Sequence, residues 1–255
     1  MEDRYQITLK ANYINILLLE DEIEHFDAVL SKPMKSIDDF IEKFRTTRSV
    51  FLTLYNVKDL TSKLQIRSPK EYIVRTKALR SKLEFANHFR NKGIGHLDTT
   101  LLKRAVQWEP TMFISTGKDN KPMLLLAQKS AIESCINSYL DKEGVQKIFG
   151  HEIDLLYPPD GNEFYSYLKS LVHETDEWLK SSKEILHKQI NFHSSEDVFE
   201  LAAVAGATNF NLKENSDLSY DEEYSKSIIS QGLDKLISDD IKQDKIDDIK
   251  KKFEI

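Results

Sequence analysis

At 255 residues the chain has room for one large domain or one domain with an appendage, and 40% hydrophobic residues allow a sizeable core. Eight glycines and six prolines are few for this length, which favours long helices over turn-rich all-β folds. The single cysteine, Cys135, excludes an intramolecular disulfide and a cysteine-built zinc site; it stands in an apolar helical pattern and reads as a small core residue. The net charge of −6 argues against a nucleic-acid partner, but the charge is uneven. From Lys63 to Arg104 there are eleven bases and three acids, a local charge of +8 that leaves −14 for the remainder. Such a segment can attract phosphates even in an acidic protein.

The N-terminus, Met1-Glu2-Asp3-Arg4-Tyr5-Gln6, has no basic region leading into an apolar run. The longest early apolar run, Ile16-Leu17-Leu18-Leu19, is far short of the roughly 20 residues that span a bilayer. The expectation is a cytoplasmic protein with no membrane association.

Residues 5–30 read as a helix, with Ile7, Ala11, Ile14, Leu18, Ile23 and Phe26 at helical intervals and Pro33 marking the exit. A second helix begins at Ser36, which can cap it, with Asp39 at the third helical position. Its stripe of Ile37, Phe40, Ile41 and Phe44 continues through Phe51, Leu54 and Tyr55 toward Leu64. In the third, Ser68-Pro69-Lys70-Glu71 reads as a capping box with proline at the first helical position. Tyr72, Thr76, Leu79, Leu83 and Ala86 follow at 4, 3, 4 and 3 residues, and Arg90 is the next step, which predicts an inward-facing arginine. Gly93 and Gly95 end this helix. Six continuous helical residues would leave His96 about 120° around from Arg90, so a glycine break is what lets the chain fold back. Asp98 or Thr99 can then cap a helix carrying Leu101, Leu102, Ala105 and Val106. This puts His96 beside a helix N-terminus, where an anion is favoured.

Residues 111–124 suggest a short hairpin, its second arm leading into a helix that runs to Tyr139. Pro158-Pro159-Asp160-Gly161 reads as a loop. Phe164, Leu168, Leu171, Val172, Thr175 and Leu179 then mark a long helix toward Ile190, and Ser194 can cap another. From about Lys213, Asp, Lys, Ser and Ile dominate, giving a charged peripheral helix or a weakly ordered tail. The organisation expected is an all-α bundle over 1–145, further helices packed on it over 146–212, and the charged segment 213–255.

Arg90-Asn91-Lys92-Gly93-Ile94-Gly95-His96 is the stretch that carries chemistry. An arginine binds a phosphate through paired hydrogen bonds, and a histidine moves a proton near neutral pH. Glu84 and His88, one turn upstream, could hold the arginine, although an ordinary surface ion pair is the simpler reading. His25, His151, His173, His187 and His193 lack metal-ligand spacing, and His173 and His187 lack a clustered carboxylate pattern. There is no Walker-type phosphate loop, Gly-x-Ser-x-Gly elbow or dinucleotide fingerprint, which counts against ATPase, esterase and dehydrogenase activity.

The stretch from Arg90 to Asp98 resembles the signature of the HEPN superfamily (higher eukaryotes and prokaryotes nucleotide-binding), particularly its bacterial abortive-infection branch: arginine, a polar residue that is often Asn, then histidine after four to six positions. The resemblance extends over the helical context of about residues 1–145. It implies an antiparallel helical bundle of HEPN type with additional C-terminal helices. It also implies a metal-independent, cofactor-free endoribonuclease of a phage-defence or toxin–antitoxin type, acting as a homodimer with a composite active site. His96 would be the acid or base on the 2′-hydroxyl and the leaving oxygen, Arg90 would bind the scissile phosphate, and Asn91 would orient His96 or bind the phosphate. Lys92 and Arg104 would attract RNA, and an antitoxin or defence-system protein is a further implied partner. The alternative is a non-catalytic helical module that binds a protein partner or a nucleotide.

Overall fold

The sequence pattern becomes helix almost everywhere it predicts helix. The structure, a computed structural model, describes residues 4–64, 66–67, 69–94, 98–114, 120–194, 201 and 205. Met1–Ile190 forms one compact unit and Asn191–Ile255 a second. Of the helix expected beyond Ser194, only Leu201 and Ala205 are among the described residues, both helical, and the charged segment 213–255 lies outside them.

The first unit contains α1 (Arg4–Leu30), α2 (Ile37–Lys63), α3 (Lys70–Lys82), α4 (Glu84–Phe89), α5 (Thr99–Trp108), α6 (Lys121–Asn137) and α7 (Pro158–His187). Among the described residues there is no strand, only an isolated antiparallel bridge between Leu140 and Gln146. The fold is therefore all-α over this region. No helix among the described residues is long and apolar enough to cross a membrane.

Two starts follow from local chemistry. At α2, Ser36 Oγ accepts from the Asp39 amide at 3.2 Å and Asp39 Oδ2 accepts from the Ser36 amide at 2.8 Å, so the capping box is reciprocal. At α5, Asp98 Oδ1 accepts from the Thr100 amide at 2.8 Å.

Elsewhere the details depart from the sequence reading. Pro69 occupies the cap position of α3 without a side-chain bond, one residue earlier in the helix frame than expected, and Ser68 lies outside the described residues. The 111–124 hairpin is not formed. Pro110–Phe113 is a 3-10 turn and α6 starts at Lys121 with Pro122 in its first turn, while 115–119 lie outside the described residues. Both prolines supply a helical φ and give up an N–H that a first turn does not need. The same logic turns the expected Pro158-to-Gly161 loop into the first turn of α7. Gly161 is needed there for space, because a Cβ would lie 2.9 Å from the Leu155 carbonyl oxygen.

The helices pack as antiparallel neighbours, which the contacts between them record. Along α1 and α7, Gln6 Nε2 donates to the Gln189 carbonyl, Glu20 pairs with Lys183, and Glu24 pairs with Lys180. Along α3 and α7, Tyr72 meets Ser182, Trp178 Nε1 donates to Thr76 Oγ1, and Lys82 pairs with Glu174. Rising numbers on one helix meet falling numbers on the other in both cases. α1 buries Leu9, Ile16, Leu19, Ile23 and Leu30, whereas Ile7, Ile14 and Leu18 of the expected stripe are exposed. Its apolar residues are spread around the helix, so spacing alone does not choose the inward face.

α2 lies at the centre, touching α1, α3, α4, α6 and α7. Its Phe51 is fully buried, stacked on Phe89 with ring centroids 3.8 Å apart and edge-on to Phe85 at 5.3 Å. Phe51→Ala is expected to destabilise the protein by about 3–5 kcal/mol, and Leu52→Ala, on the exposed side of the same turn, by no more than about 0.5 kcal/mol; urea unfolding of the two variants checks the difference.

Candidate functional site

α3 does not run straight into the arginine. Leu83, with ψ 0°, interrupts the helix, α4 resumes at Glu84, and the chain then widens into a π-turn over Arg90–Ile94. The buried stripe consequently passes through Leu79, Leu83, Ala86, Phe89 and Gly93. Arg90 is exposed, in contrast to the inward position expected from its spacing. The step after Ala86 is three residues, to Phe89, and not four: burying a phenyl ring is favourable, whereas burying an unpaired guanidinium is costly.

Gly93 has no positive φ, so it does not serve as the expected helix-ending turn residue. Its role is steric. It is buried against α6, and a Cβ at Gly93 would stand 2.3 Å from Cys135 Sγ. Arg48, half-buried on α2, donates from Nη2 to the Gly93 carbonyl at 3.2 Å and so satisfies the widened turn. Burial pushes the Cys135 thiol up to about 12, so it stays a neutral packing group.

The other end of the motif is tied to this turn. The Asp98 amide donates to the Lys92 carbonyl at 3.1 Å, and Lys92 Nζ pairs with Asp98 Oδ2 at 2.9 Å. The lysine, with the Thr100 amide as second donor, holds the Asp98 carboxyl down at about 2. Lys92 and Asp98, on either side of residues 95–97, are thus joined. His96 itself lies outside the described residues, as does Gly95.

Arg90 lies over the ring of Tyr55, its guanidinium carbon 5.2 Å from the centroid. Nη1 donates to Asn91 Oδ1 at 3.0 Å, and Asn91 Nδ2 reaches Asn87 Oδ1 at 3.5 Å. No carboxylate lies within 4 Å of Arg90 among the described residues. One of its five N–H donors is used in this way, and an oxyanion can take others. Lys92 is committed to Asp98, and Arg104 is exposed on α5. All eleven bases from Lys63 to Arg104 are exposed.

Glu84 and His88 do not pair. Glu84 meets Lys58 at 3.2 Å. His88 is half-buried, with Nε2 3.1 Å from the Cys135 carbonyl and from Ser138 Oγ. A carbonyl only accepts, so Nε2 carries the proton, and burial lowers the ring's pKa. His88 therefore joins α4 to the end of α6.

Two groupings go beyond the sequence reading. His173 does lie in a carboxylate cluster, against expectation: its ligand atom and those of Asp176 and Glu177 fall within 4.8 Å of one another on α7. Asp176 is already paired with Lys180 at 2.8 Å. The second grouping is buried. Lys129, 3% exposed, meets Glu109 at 3.0 Å, Asp154 at 3.2 Å and Glu133 at 3.5 Å. Glu133 is fully buried and accepts from Trp108 Nε1 at 2.7 Å and the Leu155 amide at 2.6 Å. With three acids around one ammonium, burial pushes the Glu133 carboxyl up to about 7. The visible trace in the sequence is a Lys–Glu pair at i, i+4 inside an apolar helical run. The network fastens α5, the 3-10 turn and the 153–155 segment to α6.

No protein-family model matches this chain, and no curated protein and no solved structure matches it.

Gly93→Ala is expected to cost about 1–3 kcal/mol by overpacking, and Cys135→Ala to remove most of that cost in the double variant, since only Cβ then remains, 3.9 Å from the new methyl. A double-mutant cycle from chemical denaturation reads the coupling. For Glu133 the sign follows from its raised folded-state value: between pH of about 4.5 and 7 the unfolded carboxyl is ionised while the folded one still holds its proton, so its contribution falls as pH rises. Glu133→Gln is therefore expected to gain stability relative to the wild type across that window, measured as Tm against pH.

Proposed function

We propose that the chain is a HEPN-type helical bundle acting as a metal-independent endoribonuclease of a phage-defence or toxin–antitoxin type. The observation that carries the reading is Arg90: an exposed guanidinium, held against Tyr55 and Asn91, with no carboxylate partner among the described residues. A cation fixed in place but left without a counter-charge suits a phosphate. The ten other exposed bases of the Lys63–Arg104 segment supply long-range attraction, and π-turns are frequent at functional sites.

In the proposed reaction His96 takes the proton of the ribose 2′-hydroxyl. The 2′-oxygen attacks the adjacent phosphorus, and the bond to the 5′-oxygen breaks as that oxygen gains a proton from an acid. A 2′,3′-cyclic phosphate and a 5′-hydroxyl result. Arg90 stabilises the negative charge that builds on the phosphoryl oxygens. Because the nucleophile is the substrate's own 2′-hydroxyl, the scheme selects RNA over DNA and needs no metal-activated water.

A second copy would complete the site by supplying another Arg90 and His96. Supporting that, α5 begins at the motif and leaves Leu102, Val106 and Trp108 exposed, followed by exposed Phe113 and Ile114. A patch of this kind beside a site suits a symmetric partner.

Mixed RNA incubated with excess chelator tests the reading. Wild type is expected to cleave, and Arg90→Ala and His96→Ala each to lose activity by about a hundredfold or more with unchanged circular dichroism. Equal cleavage by all three, or none by the wild type, would sink it; the latter outcome leaves the non-catalytic interaction module.

A further inference from the structure

Between the start of α2 and the start of α7 lies a groove of about 340 Å³, far along the sequence from the Arg90 motif. Its apolar lining includes Met34, Phe40, Leu155 and Tyr165, and its charges are Lys43 and Lys169. No carboxylate among the described residues lines it. The volume falls within the range of about 300–1,000 Å³ usual for small-molecule sites.

The lysines set this groove apart. Four half-buried or buried lysines elsewhere in the unit meet acids: Lys58 has Glu84, Lys129 has Glu109 and Asp154, Lys180 has Asp176, and Lys183 has Glu20. Lys43 is also half-buried, yet neither it nor Lys169 has a carboxylate within 4 Å among the described residues. Lys43 Nζ stands 4.3 Å from the centroid of the Tyr165 ring, which holds it at the groove. Burial and the neighbouring Lys169 charge both lower its pKa, so the two ammoniums repel each other. The helix end contributes little, because Pro158 and Pro159 carry no N–H. Two unpaired cations over an apolar floor are costly alone and are stabilised by an anion with an apolar body.

We propose that this groove binds a small amphipathic anion, an organic phosphate or carboxylate whose apolar part lies against Phe40, Met34 and Leu155 while Lys43 and Lys169 hold the charged end. This is independent of ribonuclease activity, since it uses none of the residues from Arg90 to Arg104.

The probe is 1-naphthyl phosphate, titrated into the full chain by calorimetry, with 1-naphthoate, neutral 1-naphthol and inorganic phosphate alongside. The 13C-methyl signals of the methionines are followed in parallel. Either naphthyl anion is expected to bind one per chain, the stronger of the two telling phosphate from carboxylate, and naphthol and inorganic phosphate at least about tenfold more weakly. The Met34 methyl signal should move and that of buried Met112 should not. Lys43→Gln and Lys169→Gln should each weaken binding about tenfold or more, and Ser166→Trp should block it while keeping both charges. Exposed Lys142→Gln should change nothing. Absence of binding by both naphthyl anions, inorganic phosphate binding as well as they do, or affinity untouched in all three groove variants would overturn the proposal.

Discussion

The close approach of Gly93 to Cys135 is the constraint on which the candidate site depends. A π-turn is wider than an α-helical turn, and here it is pressed onto α6 at a point where a Cβ would meet Cys135 Sγ at 2.3 Å. The absent side chain lets the turn seat. Arg48 reaches its carbonyl from α2, and Phe89, one residue before the turn, completes the aromatic stack on Phe51. With those three contacts made on the inner side, Arg90 and Asn91 are turned outward. An arginine that the core does not take up is then free for a ligand.

The remainder of the motif is held by a different kind of force. Lys92 and Asp98 bind each other through backbone and side chain, and Asp98 also caps α5. One aspartate thereby holds Lys92 and starts the next helix. The two cations of the motif therefore differ in what they do. Lys92 is taken up by Asp98, whereas Arg90 keeps its charge unpaired by any carboxylate among the described residues. The basic segment around it remains exposed in an otherwise acidic protein, and the local field there is set by that segment and not by the net charge.

Much of the architecture is legible in the sequence because it rests on local rules. Ser36 with Asp39, Asp98, and the long stripe from Phe164 to Leu179 each specify a helix start or face by chemistry within one or two turns. The illegible part depends on choosing between local options by tertiary contact. The chain takes Phe89 inward and leaves Arg90 out because α2 offers Phe51 as a stacking partner, a contact 38 positions away in sequence. Gly93 reads as a helix breaker because glycine serves both for turns and for close packing, and only the neighbouring Cys135 shows which applies. Pro122 and Pro158 read as turn and loop signals, yet each begins a helix. The Lys129 network leaves little trace because its acids come from three separate segments.

The central claim is that Arg90 is the phosphate-binding group of the motif while Arg48 serves the fold. The direct measurement is the side-chain Nε–H spectrum of 15N-arginine-labelled protein as a 2′-O-methyl RNA oligonucleotide, which lacks the nucleophile, is added. The account predicts that the Arg90 signal shifts with RNA concentration and that the Arg48 signal stays in place. An Arg90 signal that does not respond while the RNA binds elsewhere would contradict it.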